Sequence, residues 1–179
     1  MLVALTGTPG VGKSTVADIL RKRGYRVFSV NVLAEKFKCI IGEEEGCKVV
    51  DVEELSKKVK EIDEGITILE GHLSHLLKPD VTIVLRCNPI ILKNRLESKK
   101  WNREKILENV EAEIVDSILI ESIENCRNVY EVDTTELDPE EVADIVEEII
   151  KRGNKRFKPG RIDWISEIGD RIDEFIRKT

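Results

Sequence analysis

Residues Leu2 to Ser14 read LVALTGTPGVGKS, and this stretch decides the fold. Leu2 to Thr6 is an apolar run too short for a helix, so it reads as a buried parallel strand. It runs into Gly7-Thr8-Pro9-Gly10-Val11-Gly12-Lys13-Ser14, which fits G-x-x-x-x-G-K-[ST] without a mismatch. Glycines let a backbone wrap a phosphate at close range, and successive N–H groups then converge at the positive end of the next helix. Gly10 and Gly12 are assigned to that cradle. Lys13 is placed to reach the β and γ oxygens of a nucleoside triphosphate, Ser14 to ligate Mg²⁺, and Thr15 to add a contact near the α-phosphate. The implied ligands are ATP and Mg²⁺.

Outward from the loop, Ser14 to Arg23 has helical apolar spacing and Gly24 closes it. Further strands are expected at Arg26–Val30, Ile66–Leu69, Val81–Leu85 and Val129–Val132. Helical patterns fall between them at Val52–Ile62 and Pro89–Leu96. Another is a long helix capped by Asn102 and running through Leu119, and a fourth follows Pro139. Strands alternating with helices predict an α/β fold with a doubly wound parallel sheet. Three segments interrupt this order. Residues 31–50 form an insert of poor periodicity with an acidic tip at Glu43-Glu44-Glu45-Gly46. Ser98 to Arg103 is a short basic joint. Beyond Gly153 come a basic linker and an expected amphipathic helix over Ile162–Ile176.

The chain has 179 residues, a net charge of −6 and 36% charged residues. A general nucleic-acid binder would carry a basic balance, so any rRNA contact is expected to be local. No apolar run reaches the roughly 18 residues of a membrane span, and no basic leader precedes the first strand, so a cytoplasmic location is expected. Glutamine is absent and Met occurs once, while Lys, Arg and Glu abound, a drift typical of heat-adapted proteins. The cysteines at 39, 47, 87 and 126 match no zinc spacing. Cys87 and Cys126 read as small core residues, and Cys39 and Cys47 could meet across a hairpin-like loop.

Six further residues are candidates for chemistry. Glu70 ends a strand beside the loop, where a second carboxylate would hold Mg²⁺ through water or orient the attacking group. His72 lies two residues further, at the rim where phosphates sit in such sheets, and is assigned a catalytic or phosphate-orienting role. His75 is expected to be a helix-surface or packing residue. Arg95 and Lys99, with Lys100 and Arg103, are cations able to neutralise charge on a transferred phosphoryl group.

Thr6–Thr15, Val30–Ala34, Val49–Asp51, Ile68–His72, Val84–Arg86 with Arg95-Leu96-Glu97, and Lys105–Ile114 occur in one order. Together they resemble the adenylate kinase family whose human member is the coilin-interacting nuclear ATPase, in its archaeal branch. The resemblance covers Leu2 to about Ile150. It implies a nucleoside monophosphate kinase fold with a five-stranded parallel sheet. The core would span residues 1–152, with a monophosphate-binding insert at 29–51, a lid at 98–108 and a tail at 153–179. It further implies a kinase and ATPase acting on AMP or a related monophosphate in late small-subunit ribosome maturation, with a small-subunit ribosomal protein as transient partner; a monomer is expected. The chain departs from the family pattern at Glu70, often Asp, at Lys99-Lys100, often Arg-Gly, and at Glu35, where an Arg can stand. Three function classes fit: a monophosphate kinase, a partner-driven assembly ATPase, and a small-molecule kinase acting on a sugar or coenzyme precursor.

Overall fold

A computed structural model of the chain describes residues 1–44 and 47–177. Five strands form one sheet: β1 (Leu2–Thr6), β2 (Arg26–Ser29), β5 (Thr67–Glu70), β6 (Val81–Arg86) and β7 (Val129–Asp133). Their order is β2-β5-β1-β6-β7, and every pairing is parallel. β1 is buried throughout, as a central strand covered on both faces must be. Its neighbours β5 and β6 lie on opposite sides, with Leu5 opposite Glu70 on one and Ile83 on the other. The loop after β1 therefore opens where the chain diverges to the two halves of the sheet, the position at which such sheets bind ligands.

Helix α1 (Lys13–Lys22) starts inside the glycine loop, and Gly24 follows it with φ of 93°. The insert is more regular than its sequence suggests. It holds α2 (Val30–Lys36) and an antiparallel hairpin of β3 (Ile40–Glu44) and β4 (Cys47–Val50). Glu45 and Gly46 of the expected acidic tip lie outside the described residues, as does the Cys47 side chain, so a Cys39–Cys47 contact is not addressed; Cys39 is a buried free thiol. Helix α3 (Val52–Glu61) is capped by Asp51, whose side chain accepts from the Glu54 N–H.

The long helix expected from Asn102 to Leu119 is two helices, α5 (Arg103–Ile114) and α6 (Ser117–Asn125). Asp116 breaks it by adopting the left-handed conformation at φ of 57°, which Asp tolerates better than most residues. Its carboxylate then accepts from Arg86 Nη2, a tertiary partner that a straight helix would not offer. Helix α4 (Pro89–Ser98) precedes α5 across a four-residue joint, and α7 (Pro139–Arg152) carries a full capping box between Asp138 and Glu141.

The tail departs from expectation. Ile162–Ile176 is not one amphipathic helix: α8 covers only Trp164–Ile168, and a 3₁₀ stretch follows over Gly169–Glu174. Gly169 takes φ of 51° and turns the chain. The turn lets Trp164, Ile168 and Phe175 all reach the core, while Ile165 and Ile176 stay exposed. Ile168 and Phe175 join one apolar cluster with β1, β6, α1, α4, α5 and α7. A second cluster covers the other sheet face beneath α2 and α3, with Leu33, Leu55, Val59 and Leu69 at its centre. Among the described residues, no helix is long and apolar enough to cross a membrane.

Candidate active site

The glycine loop owes its shape to backbone that other residues avoid. Gly7 has φ of 137°, and a Cβ there would collide with the Leu85 carbonyl oxygen. Gly12 has φ of 106° in open space, so its constraint is conformational alone. Lys13 lies beneath the loop, nearly buried, and Nζ donates to the carbonyls of Gly7 at 2.7 Å and Thr8 at 3.0 Å. Burial pushes its ammonium down to about 8, partly offset by the carboxylates of Glu70 and Glu113. An anion in the loop would restore the lost solvation, so the lysine is held in readiness for one.

Ser14 Oγ donates to Glu70 Oε1 at 3.0 Å, which brings the two expected metal-site residues together. They fit Mg²⁺ chemically: both offer hard oxygens, and the ion keeps several waters and needs only one or two protein groups beside phosphate. Among the described residues no cluster of three or more His, Cys, Asp or Glu is placed to hold a metal ion.

Beside the loop is a cavity of about 370 Å³. Gly10, Gly12, Lys13, Ser14 and Thr15 form one wall, and Arg95, Ser98 and Lys99 form another. Arg95 Nη2 also donates to the Thr134 carbonyl at 3.4 Å. Thus Arg95 and Lys99 join the loop around one volume. Arg103 faces elsewhere, lining a groove with Glu174 and Arg177 of the tail. His72 stands exposed past β5, and its backbone carbonyl accepts from Thr6 Oγ1 at 3.2 Å. Crowding by protein atoms, with the Lys13 and His75 charges adding to it, pushes its imidazole below the usual histidine value. His75 packs as expected: it is buried, shares a hydrogen bond with Thr6 Oγ1 at 3.1 Å through Nδ1, and donates from Nε2 to Glu121 at 2.9 Å.

A family model described as an AAA domain matches residues 3–116. Full-length relatives carry the name "Putative adenylate kinase". The one from Archaeoglobus fulgidus is 59% identical over 100% of both chains. That from Pyrococcus abyssi is 46% identical over 99% of this chain and 98% of its own. The chain belongs to this adenylate kinase family. Solved structures of shikimate kinase from Bacteroides thetaiotaomicron (19% identity, TM-score 0.52) and deoxyadenosine kinase from M. mycoides (18%, 0.54) share its fold. Each covers 84% of this chain and 98% of its own.

Within this adenylate kinase fold, sequence reasoning missed the cavity's third wall. Thr134 and Leu137 from the β7–α7 connection, with Pro139 and Val142 from the start of α7, close it. Thr134 Oγ1 lies 3.0 Å from the Val11 carbonyl and 2.9 Å from that of Arg86, tying the loop to the last strand pair. The available signal was positional: a connection leaving the carboxyl end of β7, two places from β1 in the same parallel sheet. Glu113 was also missed. It is buried behind the loop and accepts from the Thr8 hydroxyl at 2.5 Å; it lies within the Lys105–Ile114 match, but nothing in that match singled it out as a site residue. At the Glu35 departure, the carboxylate on α2 pairs with Lys48 on β4.

Proposed function

We propose that the protein transfers the γ-phosphoryl group of ATP to a nucleoside monophosphate, AMP in the first instance. The observation that carries this reading is the single volume bounded by Lys13, Ser14, Arg95 and Lys99, a cationic enclosure beside a phosphate-binding loop. The names of the relatives point the same way. In this reading an oxygen of the acceptor's phosphate attacks the γ-phosphorus, and the bond from that phosphorus to the β–γ bridging oxygen breaks, releasing ADP. Lys13, mostly charged at neutral pH, draws the β and γ oxygens into line. Arg95 and Lys99 balance charge spread over the transferred group. Thr15 and the N–H groups of Gly10 and Gly12 cradle the remaining phosphates. Ser14 Oγ and, through water, Glu70 would hold a magnesium ion, which would supply neutralisation of phosphate charge. His72 orients phosphate or water at the rim.

The insert at 29–51 is assigned to the acceptor and the segment at 98–108 to covering the site. Excluding water favours transfer to an acceptor over hydrolysis, which is why a kinase needs such segments and a bare ATPase does not. The finer reading, an ATPase acting in small-subunit ribosome maturation with a ribosomal protein partner, rests on the motif resemblance. One assay separates the kinase from the ATPase activity: ADP formation with AMP present, against phosphate release without it. AMP-dependent ADP formation well above AMP-free phosphate release is expected. Phosphate release indifferent to AMP would overturn the kinase reading in favour of the ATPase.

A further inference from the structure

Glu113 is only 2% exposed, and its carboxylate is fully engaged. Oε2 accepts from the hydroxyl of Thr8, the second residue of the glycine loop, at 2.5 Å. Oε1 accepts from Arg86 Nε at 2.8 Å, from Trp164 Nε1 at 3.0 Å and from the Cys87 N–H at 3.2 Å. Trp164 belongs to the tail, so one carboxylate spans the tail and the phosphate loop. Thr8 in turn is bonded to Lys13, whose Nζ donates to its carbonyl.

Two further ties hold the tail against the same end of the sheet. Glu131 Oε1 accepts the N–H groups of Gly160 at 2.9 Å and Arg161 at 2.8 Å, while its Oε2 accepts from Arg86 Nη1 at 3.4 Å. Asn88 Nδ2 donates to Glu167 at 2.6 Å. Arg86 is buried at the centre and also reaches the Glu113 carbonyl and Asp116.

We infer that Glu113 is a positioning residue for the phosphate loop, and that the docked tail fixes it there through the indole N–H of Trp164. This rests on the kinase reading above for its catalytic readout. Apolar packing of Ile168 and Phe175 would suffice to attach the tail. It does not require an indole N–H, a buried carboxylate and a loop hydroxyl in one chain of hydrogen bonds. A flexible loop, by contrast, gains from such a chain, because phosphoryl transfer depends on donors held in place beforehand.

The test uses full-length protein and substitutions that preserve shape. Thr8→Val deletes the hydroxyl, Thr8→Ser keeps it, and Trp164→Phe deletes the N–H while keeping a ring. Losing a hydrogen bond to a charged group corresponds to about a tenfold effect or somewhat more. At a temperature well below melting, Thr8→Val and Trp164→Phe are each expected to lower kcat with ATP about tenfold, leave the KM for AMP unchanged, and combine with no further loss. Thr8→Ser should recover most of the rate. A purely structural tail predicts lower melting temperatures with wild-type kcat, and that result overturns the inference. So does a Thr8→Val effect that adds fully to that of Trp164→Phe.

A second arm needs no kinase activity. In a Trp101→Phe background, leaving Trp164 as the sole tryptophan, ATP should shift Trp164 emission, and Thr8→Val should abolish the shift. ATP binding verified by equilibrium dialysis, with unchanged emission, refutes the coupling. If the wild-type protein forms no ADP from AMP, the kinase reading falls, and this arm still decides the inference.

Discussion

Phe175→Ala measures how firmly the tail belongs to the kinase core. Phe175 is 1% exposed and packs in the same cluster as β1, β6 and α4, with the Lys93 ammonium 5.3 Å from its ring centre. Truncating a core Phe to Ala costs about 3–5 kcal/mol, the lost transfer energy plus the cavity left behind. For a chain of this size each kcal/mol shifts the melting temperature by about 2–4 °C, so a fall of roughly 6–20 °C is expected. The neighbour supplies the control: Ile176 is 38% exposed, and Ile176→Ala should move the midpoint by about 2 °C or less. Calorimetry or circular dichroism on both variants gives the answer. A Phe175→Ala shift no larger than that of Ile176→Ala would refute integral packing and return the tail to the status of an appendage that docks elsewhere.

Other outcomes follow from the site. Lys13→Ala should keep the fold and lower phosphoryl transfer by about 10³, read by coupled ADP detection; near-wild-type turnover would remove the loop from the chemistry. Because burial lowers the Lys13 ammonium to about 8, its charge is present below that pH and lost above it. The kcat/KM for ATP, which reports the free protein, should therefore be flat below about pH 8 and fall above it; a profile still flat at pH 9.5 contradicts the assignment. Arg86→Met leaves Glu113 and Glu131 buried beside an apolar side chain, and urea titration should show a loss of about 3–5 kcal/mol. Glu70→Gln should abolish both kinase and ATPase activity, while His72→Ala should impair hydrolysis more than AMP phosphorylation. Equal losses in the His72→Ala assays would deny His72 a role in placing water.

The sheet was legible because its signals are local. Five short apolar runs, each bounded by Gly, Pro or a charged residue, gave all five parallel strands to within a residue or two. The glycine motif named the binding edge, and Arg95 and Lys99 were reached from it by asking which cations could meet a phosphate. Tertiary partnerships were not legible. The break at Asp116 depends on Arg86, thirty positions earlier in the chain, which rewards a left-handed residue where periodicity alone continues the helix. Gly169 did carry a signal, since a glycine inside an apolar stripe weakens a helix, but the stripe outweighed it in the reading. A hairpin-like loop between Cys39 and Cys47 was anticipated, but its strands were not, because the exposed β3, with Glu43 and Glu44, lacks the alternation a half-buried strand shows. Glu113 looked like any other glutamate on a charged helix; only folding sets it behind Thr8.

The charge cluster around Arg86 has consequences for the loop beyond its cost. Replacing a buried ion pair with well-packed apolar residues is often neutral or stabilising, so stability alone gives no reason for Glu113, Glu131 and Arg86 to be buried together. Position gives one. Lys13 must stay charged in a site where burial works against it, and the carboxylates of Glu70 and Glu113 are the groups that oppose that burial. Yet a bare carboxylate behind a phosphate site would repel the ligand. Arg86, bonded to Glu113 at Nε and Nη2, offsets that charge on the side away from the loop. Thr8 turns the remaining acceptor into a tether. The arrangement keeps a lysine cationic, limits repulsion of the incoming phosphate, and fixes the loop backbone. Trp164 supplies the fourth hydrogen bond to this carboxylate, so in the inference drawn above the tail acts on the phosphate loop through Glu113.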